Sequence, residues 1–233
     1  MVNFDESVLN VCDFLDSSEI ISILVGQSGE DQLHCGIVYR FNGKFNAIHL
    51  AWHFYLAHEE GYVKNLTGYL FLKSSIHEIR QNSIAAMCRR ILKRQDEQKI
   101  PYGLLYTGGN FTREGVLNLD TQESGLTCAT FVMAVFKSCG IQLIDIENWE
   151  YRETDSVWHK SIVESLKDTK DRFGISELHI ENVSNEQGCS RFRPEEVATS
   201  SVFKEIPADS KDIIRFGEEL RNIVMKKKRN IHL

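Results

Sequence analysis

Proline is scarce in this chain, with three among 233 residues, and glycine reaches only fifteen. That excludes collagen-like and low-complexity classes. No run approaches the ~18 apolar residues of a spanning helix, so no stable membrane insertion is expected. A basic excess is missing as well: 27 Lys and Arg face 33 Asp and Glu, for a net charge of −6. A general nucleic-acid binder needs a basic footprint to neutralise phosphates, so nucleic acid is not an expected partner. HExxH and paired CxxC spacings are absent, and Cys12, Cys35, Cys88, Cys128, Cys139 and Cys189 lie scattered. Neither a metal nor a cofactor is therefore expected. The opening MVNFDESVLNVCDFLD is acidic and lacks the basic start and long apolar core of a secretory signal. These features predict a cytoplasmic protein with reduced thiols, or one exported as an effector by a signal-independent route.

What is present reads as one globular domain over residues 1–233: 42% of residues are hydrophobic and 26% charged. Apolar spacing predicts a helix over 4–18 and a buried strand over 20–25. LHCGIVYRF and FNAIHLAW are rich in β-formers and flank Asn42-Gly43, the usual signature of a two-residue hairpin turn. A further strand is expected at 68–73. A helix over 74–99 is expected next, with Ser75 as cap and Glu78 three residues on. After an irregular stretch over 101–123, a helix starts near Ser124 or Thr127 and stops at Cys139, before Gly140. Helices are also expected over 153–171 and 209–228, with a short one after Pro194.

GLTCATFVMAVFKSCG carries the chemistry. Cys128 falls in the first turn of its helix, where unpaired N–H groups and the helix dipole favour a thiolate. Phe131, Val132, Val135 and Phe136 bury that helix and hold the cysteine still, and Gly125 permits close approach of a backbone or a substrate. Cys139 sits at the opposite pole and feels the opposite dipole.

A nucleophilic cysteine needs a base, and the base needs orientation. His34 and His49 lie on the two arms of the hairpin, and counting from Asn42-Gly43 places them nearly opposite each other. One imidazole can take the thiol proton while the other steers its ring.

The run His34-Cys35-Gly36-Ile37-Val38-Tyr39, the Asn42-Gly43 turn, Ile48-His49-Leu50 and the later Cys128-Ala129-Thr130-Phe131-Val132 resemble circularly permuted NlpC/P60 papain-like hydrolases. That group includes lecithin:retinol acyltransferase-like enzymes and YiiX-like amidases. The resemblance spans about residues 20–140; residues 141–233 match nothing in the family pattern and form an unassigned C-terminal extension. It implies an α+β papain-like fold, a small antiparallel sheet packed by helices, with Cys128 as nucleophile, His34 as general base and His49 as the orienting polar residue. Gln122, six residues before Cys128, echoes a papain-like oxyanion donor, and Tyr106 and Tyr102 are further candidates for that role. The unpermuted order would instead use His179, 51 residues after Cys128, on a strand formed by ISELHIENV.

The resemblance implies a thiol hydrolase, an amidase or peptidase, acting on a peptide or protein substrate through an acyl-enzyme. Two alternatives stand beside it. One is a lipid acyltransferase or thioesterase of the same superfamily. The other is a non-catalytic interaction domain whose basic terminus KKKRNIHL meets an acidic partner or an anionic surface.

Overall fold

The computed structural model describes residues 4–10, 13–14, 17–61, 66, 68–119 and 125–231. Its elements follow in chain order: α1 (Phe4–Ser7), β1 (Val8–Leu9), β2 (Ile21–Gln27), β3 (Leu33–Phe41), β4 (Lys44–Trp52), β5 (Tyr55–Glu60) and β6 (Leu70–Lys73). There follow α2 (Glu78–Lys93), β7 (Asn110–Phe111), β8 (Leu117–Asn118), α3 (Cys128–Ser138), α4 (Asp155–Phe173), α5 (Glu177–Asn185), α6 (Pro194–Ser200) and α7 (Ser210–Ile231). Six strands form one antiparallel sheet in the order β1-β6-β2-β3-β4-β5, so the architecture is α+β.

The hairpin forms as its sequence dictates. Asn42 and Gly43 take positive φ values of 49° and 73°, the turn whose twist matches paired strands. From there the ladder runs from Phe41↔Lys44 to Ile37↔Ile48. Alternation divides the side chains. Leu33, Cys35, Ile37 and Tyr39 of β3 face the large core that α3 fills, while Val38 joins Leu24, Ala47, Phe71 and Phe14 on the other face.

α3 is the centre of that large core. All nine residues from Cys128 to Phe136 are buried, which explains its continuous apolar sequence. The same core takes in Ile162, Leu166, Val183, Val197, Ile213 and Val224, so α4 to α7 pack against the sheet-bearing half in one continuous cluster. A buried ionic knot fixes this extension. Asp155 pairs with Arg193 at 2.8 Å, Arg152 at 3.3 Å and Arg191 at 3.4 Å, and Arg152 also binds Glu196.

Several sequence expectations are corrected. The helix expected over 4–18 is broken after Phe4–Ser7: Val8 and Leu9 pair with β6 as a strand, and Asp13 and Phe14 are helical again, with Phe14 stacked on Phe71 at 4.9 Å. The helix expected over 74–99 starts at Glu78 and stops at Lys93. Ser75 does not cap it: its hydroxyl reaches the carbonyls of Ser201 and Phe203, and His77 Nδ1 accepts the Ile79 N–H instead. β5 was not expected; it is a short edge strand ending in Glu59 and Glu60, charges that suit an exposed edge. ISELHIENV is helical as α5, with Ser176 Oγ accepting the His179 N–H as its cap, so it supplies no histidine strand.

Candidate active site

Cys128 is the first residue of α3. Thr127 caps the helix reciprocally with Thr130: Thr127 Oγ1 accepts the Thr130 N–H at 3.1 Å, and Thr130 Oγ1 accepts the Thr127 N–H at 2.7 Å. This cap leaves the N–H groups of Cys128 and Ala129 at the helix mouth, where first-turn donors lack intrahelical acceptors. Upstream, Gly125 and Leu126 run against Pro101–Gly103. Leu126 N–H donates to the Pro101 carbonyl at 2.9 Å, and a Cβ on Gly125 would fall 2.3 Å from that oxygen. The close approach that the sequence allows at Gly125 is taken by backbone.

His34 and His49 meet as the hairpin count requires. His34 Nε2 and His49 Nδ1 are 2.7 Å apart, with ring centroids at 4.6 Å. Continuing the register one step past Ile37↔Ile48 sets His49 beside Gly36, two residues from His34 and on the same face of the strand. A Cβ on Gly36 would stand 2.6 Å from His49 Cβ and 2.8 Å from the Ile48 carbonyl oxygen. Gly36 is therefore what lets the two histidines reach each other.

The sulfur of Cys128 reaches two neighbours on β3 whose side chains leave the strand on opposite faces. The thiol and backbone N–H of Cys35 and the ring of His34 lie close enough to that sulfur to act on its charge.

These contacts hold the Cys128 thiol well below the usual cysteine range. The Cys35 hydrogen bond contributes most, and the His34 charge and hydrogen bond add to it against the opposing effect of burial. Cys35 moves the other way, raised by burial first and by its hydrogen bond to Cys128 second. Burial, then the neighbouring His34 charge, lowers His49 to about 4, so it is neutral at pH 7. At the far end of α3, burial raises Cys139 to about 11.

Residues that sequence reasoning missed also converge here. Tyr69 lies close enough to Cys128 and Cys35 for their charges to add to the effect of burial in raising its phenol. Its ring covers Gly26, the cross-strand partner of His34. Tyr102, which the sequence does offer as an oxyanion candidate, is buried against Trp52 at 4.6 Å and feels both sulfurs. Glu195, from the extension, is near enough to act on Cys35. Neither Tyr69 nor Glu195 carries a sequence signal, because each arrives from a separate segment through tertiary packing.

Of the other expected residues, Tyr106 donates its hydroxyl proton to the Gly109 carbonyl at 2.8 Å, which leaves it none for an oxyanion. Gln122 lies outside the described residues. His179 stands edge-on to His53 at 4.4 Å, with its Nε2 2.8 Å from the Tyr102 carbonyl. Among the described residues no group of three or more His, Cys, Asp or Glu is arranged to hold a metal ion, and no helix is long and apolar enough to cross a membrane. No protein-family model, curated protein or solved structure matches the chain.

Proposed function

We propose that this protein is a cysteine hydrolase of the permuted NlpC/P60 papain-like kind, cleaving an amide or peptide bond through an acyl-enzyme. The observation that carries this reading is the chain of contacts from Cys128 to His34 to His49, with the sulfur at a helix mouth and biased to the thiolate. Chemically, each part has a use. His49, neutral, accepts at Nδ1 from His34 Nε2–H, which leaves His34 Nδ1 to exchange a proton with the sulfur. The thiolate attacks the carbonyl carbon, the N–H groups of Cys128 and Ala129 face the developing oxyanion, and His34 delivers the proton to the leaving amine. Water then attacks the thioester, and His34 takes its proton.

Five described cysteines are free thiols, in keeping with work in a reducing compartment such as the cytoplasm on a peptide or protein substrate. The test pairs a substrate screen with thiol alkylation. Cys128→Ser should lose turnover on any peptide library that the wild type cleaves. Iodoacetamide should label wild-type Cys128 well below the ordinary thiol pKa of ~8.5, and His34→Ala should slow that labelling at least about tenfold. Labelling that follows an ordinary thiol titration and ignores His34 sinks the proposal and leaves an interaction domain with an incidental cysteine.

A further inference from the structure

The hydrolase mechanism uses one sulfur, and the fold places two together. Cys35 is completely buried on β3, directly after His34, and lies near enough to Cys128 for each sulfur to act on the other. Both are free thiols within one core cluster. Stabilising a thiolate takes only a donor, and the Cys35 backbone N–H already supplies one. A serine hydroxyl at position 35 would add a second. A thiol adds what neither can: it can form a covalent bond to an oxidised neighbour.

We propose that Cys128 and Cys35 form a reversible redox couple, in which a peroxide oxidises Cys128 and Cys35 resolves the product as an internal disulfide. The inference rests on the thiolate reading of Cys128. In the first step the thiolate attacks one oxygen of hydrogen peroxide, giving Cys128 sulfenic acid and hydroxide. In the second, the Cys35 sulfur displaces the sulfenic hydroxyl; its own proton leaves with that group as water, and the S–S bond closes. A reducing dithiol returns both thiols and is itself oxidised to a disulfide. The nucleophile is held in a recoverable form, short of sulfinic acid, from which simple thiols do not rescue it.

Selectivity follows from the rest of the molecule. Cys139 and Cys189 are raised to about 11 by burial, and burial raises Cys88 further, so these three stay protonated and slow towards peroxide. Access also favours a small oxidant. Cys128 keeps 7% of its surface and Cys35 none, so peroxide arrives at Cys128 and the resolving sulfur waits behind it.

The experiment treats the full-length protein with hydrogen peroxide at pH 6.5 and follows it by intact mass and peptide mapping. Wild type should lose about 2 Da, yield a Cys35–Cys128 cross-linked peptide and return to its starting mass with dithiothreitol; Cys35→Ser should instead gain about 32 Da at Cys128, irreversibly. In Cys128→Ser, which keeps Cys35 untouched, Cys35 should stay reduced. The inference is overturned if wild-type Cys128 reaches the sulfinic acid as fast as in Cys35→Ser with no cross-link. It is overturned equally if Cys35 oxidises as readily without Cys128. A Cys128 that resists peroxide at this pH removes the thiolate, and the hydrolase reading falls with the inference.

Discussion

Two histidine pairs sit on this fold, and by local criteria they look alike. His34 and His49 stack edge-on with centroids 4.6 Å apart, and His53 and His179 do so at 4.4 Å. Each pair has one member lowered to about 4, by burial first and its partner's charge second. The difference lies in the third group. The first pair touches the Cys128 sulfur. The second closes on backbone: His53 Nδ1 accepts the Tyr102 N–H at 3.2 Å, while His179 Nε2 lies 2.8 Å from the Tyr102 carbonyl. That clamp fixes the 101–103 segment against which Gly125 and Leu126 run up to Cys128. A perturbed histidine therefore marks a desolvated ring, and only its partner decides whether the ring does chemistry or holds the chain.

The comparison breaks most sharply under alanine substitution. His34→Ala should lower turnover by about 10²-fold or more, the usual contribution of a positioned acid-base group, with the fold retained. His53→Ala should leave turnover within a few-fold where the protein is folded, yet cost about 1–3 kcal/mol, because the buried Tyr102 N–H loses its acceptor. Peptide cleavage and urea melts on both variants test this. Equal losses of turnover would erase the distinction between the two pairs.

Why one pair was legible and the other was not follows from chain distance. A two-residue turn at Asn42-Gly43 fixes the register of β3 and β4, so counting along the sequence already places His34 near His49. Cys128 was legible because Thr127, the apolar run and Gly140 mark both ends of its helix. His53 lies in the tight β4–β5 turn and His179 on α5, and no local pattern relates those elements. Cys35 was hidden for a different reason. Strand alternation sends it to the face opposite His34, so the hairpin count that pairs the histidines gives it no place beside Cys128. Glu195 and Tyr69 likewise reach the site through packing of segments whose partners the sequence does not name.

Acid should weaken both pairs together. His49 and His53 are neutral in the folded protein down to about pH 4, whereas in the unfolded chain they bind protons below about 6.5. The unfolded state therefore binds more protons through this window, and stability falls as pH drops from 6.5 towards 4. Each histidine contributes a slope of at most about 1.4 kcal/mol per pH unit, less any relief from solvent. Chemical denaturation at half-unit steps should show the fall, and His49→Gln and His53→Gln should each flatten it. A variant that keeps the full wild-type slope has lost a histidine that was not held neutral.

Gly36 sharpens the comparison at one methyl group. In Gly36→Ala the new Cβ meets His49 Cβ and the Ile48 carbonyl, and backbone cannot swing aside as a flexible side chain can. The strands must part, at about 1–3 kcal/mol, typical of overpacking. Because His49 moves with β4, turnover should fall more than the stability loss accounts for, while the His53–His179 clamp remains. A stable, fully active Gly36→Ala would show that the His34–His49 contact is dispensable.

The smallest difference should appear at the two helix caps. Thr127 caps α3 ahead of Cys128, and Ser176 caps α5 ahead of His179. Replacing either by alanine removes one cap acceptor, at about 1 kcal/mol, so both variants should melt a few degrees lower. Only at Thr127 does the cap also hold the helix mouth that faces the sulfur. Fraying there lets water compete for the first-turn N–H groups and moves Cys128 away from His34 and Cys35. Thr127→Ala should thus slow iodoacetamide labelling of Cys128 near pH 6 by a few-fold, whereas Ser176→Ala should leave it unchanged. If the two variants label alike, the helix mouth adds nothing to the thiolate beyond what β3 supplies.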